Sequence, residues 1–123
     1  MARPIVAVVD DDPHMRAALE RLLRSIGYRV ATFEGTAQLL AHRDPGALLC
    51  VLVDLQMPGI DGVALTATLT ARYPSLPVLA MTAYPGEAVR RRAMDAGAVA
   101  FLAKPLDAAL LEAHLALVAR ASG

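Results

Sequence analysis

Short apolar runs rich in β-branched residues recur along the chain, and a stretch with helical periodicity follows each of them. Such runs predict buried strands, and the intervening stretches predict helices. Regular alternation of strand and helix favours a parallel sheet with helices on both faces and right-handed crossovers. The predicted strands cover residues 4–9, 28–33, 48–54, 77–82 and 99–103.

Capping residues and helix breakers mark the ends of the predicted helices. Asp12 followed by Pro13 is typical of an N-cap and a first helical residue, and Asp107 is a good N-cap for the last helix. Gly27 and Gly97 are typical helix ends. The predicted helices cover about residues 13–26, 36–41, 62–72, 86–96 and 108–120.

Length and composition favour one small intracellular domain. The chain has 123 residues, with 12 Lys and Arg against 12 Asp and Glu, so its charge indicates neither nucleic acid nor an anionic membrane as a partner. Its apolar runs are shorter than the roughly 18 residues of a membrane span, and its N-terminus lacks a signal-peptide pattern. The single Cys50 predicts a buried thiol in a reducing compartment. We therefore expect a soluble cytoplasmic protein.

Polar side chains follow four of the five predicted strands. Asp10 and Asp11 end the first strand, Asp54 ends the third, Thr82 ends the fourth and Lys104 follows the fifth. Functional residues of open parallel sheets lie at the carboxyl ends of the strands. The fold is therefore expected to collect these residues on one rim.

Three converging carboxylates need a cation. Two unit charges about 4 Å apart repel by roughly 4 kcal/mol at an effective dielectric constant of about 20, and Lys104 supplies only part of the compensation. Oxygen ligands without His or Cys at ligand spacing suit Mg²⁺ rather than zinc. Mg²⁺ beside a carboxylate nucleophile indicates phosphoryl transfer to Asp54 as an acyl phosphate.

The motifs VVDDD, LVDLQMPGIDG, MTA and FLAKP, in this order, resemble the receiver domain of bacterial response regulators. The resemblance implies a single receiver domain with a core at about residues 4–119. It implies a flavodoxin-like, doubly wound five-stranded parallel sheet of order 2-1-3-4-5. It also implies a switch that accepts a phosphoryl group on Asp54 from a histidine kinase or phosphotransfer protein, rather than a turnover enzyme. DNA would be contacted only through a separate output domain.

The same resemblance implies a ligand set for Mg²⁺. Asp11 and Asp54 would bind the cation through their carboxylates, and Gln56 through its backbone carbonyl. Asp10 would act through a metal-bound water.

The resemblance further implies a switch. Lys104, the Thr82 hydroxyl and the Ala83 backbone would bind phosphoryl oxygens, and the Lys104–Pro105 peptide would be cis. Phe101 matches the switch aromatic, which turns inward when Thr82 moves and so alters the surface formed by the fourth helix, fifth strand and fifth helix.

Two alternatives to this switch have to be considered. A haloacid-dehalogenase-type phosphatase requires a second Asp two residues after the nucleophile, where this chain has Gln56. A receiver-like docking module that is never phosphorylated usually lacks an acid, the Thr or the Lys, all of which are present here. Gln56 and Tyr84 occupy the family positions that tune the lifetime of the phosphate.

The last helix carries two apolar stripes at helical spacing. At roughly 100° per residue, one stripe is expected to face the core and the other to form a homodimer or partner interface. The predicted core stripe comprises Leu106, Leu110, Ala113 and Leu117, and the predicted interface comprises Leu111, Leu115 and Val118.

Overall fold

A computed structural model describes residues 4–41, 47–57 and 60–122 of the chain. Strands and helices alternate along it, as expected. In chain order they are β1 (Ile5–Val9), α1 (Pro13–Ser25), β2 (Arg29–Phe33), α2 (Thr36–Leu40), β3 (Cys50–Asp54), β4 (Gln56–Met57), β5 (Ile60–Asp61), α3 (Gly62–Arg72), β6 (Val78–Thr82), α4 (Glu87–Asp95), β7 (Ala100–Ala103) and α5 (Ala108–Ser122).

Five strands form one parallel sheet in the order β2-β1-β3-β6-β7. These are the five predicted strands, and their order confirms the 2-1-3-4-5 arrangement. The two-residue strands β4 and β5 pair antiparallel as a separate hairpin between β3 and α3. The sequence did not predict this hairpin, because two-residue strands are too short to show a period.

Alternate residues of each central strand face opposite layers of helices. Val6 and Val8 of β1 belong to the apolar core beneath α1 and α5. Ala7 and Val9 point the other way, into the core beneath α2 and α3, and α4 packs on that second face through Ala93. Because both faces are covered, the strands are apolar throughout instead of alternating with polar residues.

Cys50 lies in the first of these cores and is fully buried. Burial raises the pKa of its thiol to about 12, so the group stays protonated at neutral pH. The sequence-based interpretation of Cys50 as a small buried apolar residue is confirmed. Among the described residues, no helix combines the length and apolarity required to cross a membrane.

The predicted caps form as the sequence indicates. The Asp12 carboxylate accepts hydrogen bonds from the backbone N–H groups of His14 and Met15, at 2.9 and 3.4 Å. The Asp107 carboxylate accepts one from the N–H of Leu110 at 3.0 Å, at the start of α5. These bonds satisfy donors that the first turn of a helix leaves without partners.

Within α5 the apolar stripes are reversed relative to the prediction, although Leu106, just before the helix, packs against the core as predicted. Leu111, Leu115 and Val118 are buried in the core shared with α1, whereas Leu110 and Leu117 are 53% and 57% exposed. The prediction that the first three form an interface is therefore wrong.

The physical reason lies at the start of the helix. Both stripes have the spacing i, i+4, i+7, so periodicity alone does not say which one faces the sheet. Leu106, from which the angles were counted, precedes the helix, which begins at Ala108. An angle counted from a residue outside the helix does not describe a helical face.

Truncation of α5 residues tests which face is buried. Leu115→Ala is expected to lower the free energy of unfolding by about 2–5 kcal/mol, because it leaves a cavity in the core. The matched control Leu117→Ala, on the exposed face of the same helix, should change it by less than about 0.5 kcal/mol. Urea unfolding of both variants measures the difference, and equal losses would contradict the assigned helix face.

Candidate functional site at the carboxyl edge of the sheet

The carboxyl ends of four strands carry the predicted site residues onto one rim of the sheet. Asp54 ends β3 and Thr82 ends β6, while Asp10 and Lys104 directly follow β1 and β7. Asp10, Asp54 and Thr82 are buried. Buried carboxylates need partners, because burial of an unpaired charge is costly.

Lys104 is the partner of both buried carboxylates. Its ammonium nitrogen lies 3.0 Å from Asp10 Oδ2 and 3.2 Å from Asp54 Oδ2. The backbone N–H of Lys104 also donates to the carbonyl oxygen of Thr82 at 2.8 Å, which fixes the residue against β6. The Lys104–Pro105 peptide is cis, as predicted.

For both Asp54 and Lys104, burial has the largest effect on the pKa, and hydrogen bonds and neighbouring charges follow. Burial raises the pKa of Asp54, and the Asp10 carboxylate raises it further, against the opposing effects of the Gln56 N–H and Lys104. Burial lowers the pKa of Lys104, but its hydrogen bond to Asp10 and the two acidic charges outweigh that effect, and the net pKa is raised. Lys104 therefore remains a cation at neutral pH.

Asp10, Asp11 and Asp54 form a group that could hold a metal ion. One carboxylate oxygen from each lies within 4.8 Å of the others. Asp11 is exposed, and within the described part of the chain its carboxylate has no hydrogen-bond partner. The donors are all oxygen atoms, which suits a hard cation such as Mg²⁺.

A hydrogen-bonded chain leads away from Asp54 toward β6. The Gln56 N–H donates to Asp54 Oδ1 at 3.1 Å, and the Gln56 side-chain oxygen accepts a hydrogen bond from the Thr82 hydroxyl. The Tyr84 N–H in turn donates to the Thr82 oxygen at 3.0 Å. Ala83 is exposed, and Tyr84 has 76% of its surface exposed.

Phe101 lies on β7, three residues before Lys104. It is half-buried and packs against the small core of Leu55, Ala80 and Ala93 on the α4 side of the sheet. In the register of the sheet Phe101 lies opposite Ala80, two residues before Thr82, and its switch role stays a prediction.

One site residue was absent from the sequence-based predictions. The Arg16 guanidinium of α1 donates to the Asp10 carbonyl oxygen at 2.7 Å. The sequence did not distinguish Arg16 from the other arginines of α1, Arg21 and Arg24, which lie on the surface.

The chain is similar to known proteins over most of its length. The family model for the response regulator receiver domain matches residues 6–116. The DNA-binding transcriptional regulator NtrC of Escherichia coli K12 is 42% identical over 124 residues, which cover 98% of this chain and 25% of NtrC. The transcriptional regulatory protein FixJ of Bradyrhizobium diazoefficiens is 39% identical over 103 residues, covering 83% of this chain and 50% of FixJ.

A solved structure shows the same fold. A response regulator receiver protein from Pseudoalteromonas atlantica superposes with a TM-score of 0.86 at 23% identity, covering 98% of this chain and 100% of that one. At that identity the likeness concerns the fold alone. The chain spans about a quarter to a half of the length of the two curated relatives named above.

Gly62 allows α3 to begin directly against the strand that carries Asp54. A Cβ atom at Gly62 would lie 2.6 Å from the Asp54 carbonyl oxygen and 2.6 Å from the Leu55 Cα. Only a residue without a side chain fits so close to backbone atoms. The position of Asp54 thus depends on a glycine eight residues later in the chain.

Substitution of Gly62 is expected to strain the site. Gly62→Ala should lower the free energy of unfolding by about 1–3 kcal/mol and shift the Asp54 amide resonance, because the backbone has to move. Gly86→Ala is the control. Gly86 has extended backbone, and a Cβ atom added there would have no neighbouring atom within 4 Å. Because Gly86 is the N-cap of α4, Gly86→Ala should lower the free energy of unfolding by about 1 kcal/mol or less. An unmoved Asp54 resonance in Gly62→Ala would contradict the close approach.

Proposed function

Because the chain belongs to the response regulator receiver domain family, we propose that it is a phosphorylation-activated switch of a two-component system with Asp54 as its phosphoacceptor. The observation that carries the proposal is the position of the Asp54 carboxylate. It lies 3.2 Å from the Lys104 ammonium and within the group of carboxylates that could hold a metal. A carboxylate beside a lysine ammonium and a candidate metal site is suited to receive a phosphoryl group.

In the proposed reaction, a carboxylate oxygen of Asp54 attacks the phosphorus atom of a phosphohistidine on a histidine kinase or phosphotransfer protein. The new P–O bond forms as the P–N bond breaks, and the departing imidazole takes up a proton. The product is an aspartyl phosphate on this chain. The role is that of a phosphoacceptor that assists its own phosphorylation and dephosphorylation, not of an enzyme that turns over an external substrate.

Four residues would hold Mg²⁺ in the proposed site. Asp11 and Asp54 would bind it through carboxylate oxygens, Gln56 through its backbone carbonyl and Asp10 through a water molecule. When bound, the cation neutralises negative charge on the transferring phosphoryl group.

The remaining contacts to the phosphoryl group would come from β6 and β7. Lys104 would keep its bond to Asp10 and pair with a phosphoryl oxygen, which is a charge-assisted hydrogen bond. The Thr82 hydroxyl and the Ala83 N–H would bind another phosphoryl oxygen. Phe101 would then move inward and change the surface formed by α4, β7 and α5.

We place the protein in the cytoplasm, where such kinases present their phosphohistidine. A DNA target would be reached only through an output domain, as the names of NtrC and FixJ suggest for those proteins. A haloacid-dehalogenase-type phosphatase fits less well, because Gln56 occupies the position of its general acid–base. The other alternative is a docking module that is never phosphorylated. Labelling with a phosphoryl donor distinguishes it from the proposed switch.

Labelling with acetyl phosphate tests the phosphoacceptor. Asp54→Asn should abolish the mass increase on the intact protein, because an amide is a poor nucleophile. Asp61→Asn is the matched control: Asp61 caps α3, and Asn caps a helix about as well. It should be labelled like the wild type. A wild type that takes no label would favour the docking module, and a fully labelled Asp54→Asn would contradict the assignment of Asp54.

The bond between Gln56 and Thr82 should oppose activation. Thr82 donates its single proton to the Gln56 side chain, so it must break this bond before it can donate to a phosphoryl oxygen. Gln56→Ala removes the competing acceptor. If the bond contributes about 0.5–1.5 kcal/mol, the apparent affinity for beryllofluoride, a phosphoryl mimic, should rise about two- to tenfold.

A double-mutant cycle isolates this effect. In a Thr82→Val background the hydroxyl is absent, so Gln56→Ala should leave the beryllofluoride affinity unchanged. The affinity is measured by titration in excess Mg²⁺. An equal gain from Gln56→Ala in both backgrounds would show that Gln56 acts on the site without Thr82.

A further inference from the structure

Arg16 contacts the peptide that joins the first two acids of the site. Its Nη1 donates to the Asp10 carbonyl oxygen at 2.7 Å, and that carbonyl belongs to the peptide between Asp10 and Asp11. The side chain is half-buried. A hydrogen bond from a charged donor is about twice as strong as a neutral one, so this contact constrains the plane of the peptide.

The residues on either side of Asp11 are fixed by other bonds. The Asp10 N–H donates to the Phe33 carbonyl at 3.1 Å, and the Asp12 N–H donates to Asp10 Oδ1 at 3.0 Å. Asp12 is held as the N-cap of α1, and its carbonyl accepts from the Arg16 N–H at 2.9 Å. Arg16 thus holds the loop at two points, through its backbone and through its side chain.

No comparable hydrogen bond holds the Asp11 side chain within the described residues. Its carboxylate is exposed, and no hydrogen bond within the described residues directs it. Its direction toward Asp10 and Asp54 therefore depends on the two peptide planes that flank its Cα. The Arg16 side chain holds the first of these planes.

The charge of Arg16 has the wrong sign for a direct role at a metal site. A positive side chain beside the acids repels a cation and lowers its affinity. The other arginines of α1 lie at the surface: Arg21 is exposed, and Arg24 lies 3.5 Å from Glu20 in a solvent-exposed pair. A guanidinium directed at the acid loop is therefore better explained by geometry than by charge.

We infer that Arg16 is a positioning residue, which orients Asp11 for the metal by fixing the Asp10–Asp11 peptide. The inference rests on the proposed function, because it assumes that Mg²⁺ binds at this rim. Residues that orient metal ligands from outside the coordination sphere typically affect metal affinity by about 10- to 100-fold.

Mg²⁺ titration of the metal-free protein, followed by backbone amide resonances, tests the inference. Arg16→Gln should weaken Mg²⁺ binding by about tenfold. Arg16→Lys, which keeps a cationic donor, should recover most of the affinity. Arg21→Gln, which removes an equal charge from the same helix, should bind Mg²⁺ as tightly as the wild type. Urea unfolding without metal should give Arg16→Gln a midpoint close to that of the wild type.

Two results distinguish positioning from other effects. In an Asp11→Asn background, Arg16→Gln should cause no further loss, because the oriented ligand is already gone. Equal or tighter Mg²⁺ binding by Arg16→Gln would overturn the inference and leave only a charge effect. Failure of the wild type to bind Mg²⁺ would overturn the proposed function, and this inference with it. If Arg16→Gln does not fold, Arg16→Lys provides the test. An Arg16→Lys protein that is as stable as the wild type but binds Mg²⁺ about tenfold more weakly would also contradict the inference.

Discussion

The ammonium of Lys104 between Asp10 and Asp54 is the interaction on which the rim depends. The two carboxylates are buried, and each lies 3.0–3.2 Å from the same nitrogen. Unit charges of like sign at about 4 Å repel by roughly 4 kcal/mol at an effective dielectric constant of about 20. Without the lysine, neither buried carboxylate would have an ion-pair partner among the described residues until a metal bound.

The topology of the sheet makes this arrangement possible. Lys104 is 94 residues from Asp10 in the chain, and β3 and β6 lie between β1 and β7. The rim is therefore completed only when the last strand pairs, which couples the site to the whole sheet. The raised pKa of Asp54, which burial causes, shows that the lysine does not remove the whole cost of the buried charge. A bound cation would reduce that cost, because a nearby opposite charge favours the ionised form of an acid.

Much of this could be predicted from the sequence. The five strands follow from their apolar β-branched runs, and α3 occupies the predicted residues 62–72 because capping chemistry is local. The face of α5 could not be predicted, since two equivalent stripes left the choice to packing. Arg16 was missed because a side chain that bonds to a backbone carbonyl leaves no pattern of residue types. The convergence of the acids and Lys104 was predictable only because parallel strands end on the same edge.

Chemical mapping of the phosphorylated wild type tests the central claim most directly. Treatment with acetyl phosphate and Mg²⁺, followed by borohydride reduction, converts an aspartyl phosphate to homoserine at the modified position. Peptide mass spectrometry should find homoserine in place of Asp54 and should find Asp10, Asp11 and Asp12 unchanged. Reduction at one of these three acids instead, or a phosphorylated protein without homoserine, would contradict the assignment of Asp54 as the phosphoacceptor.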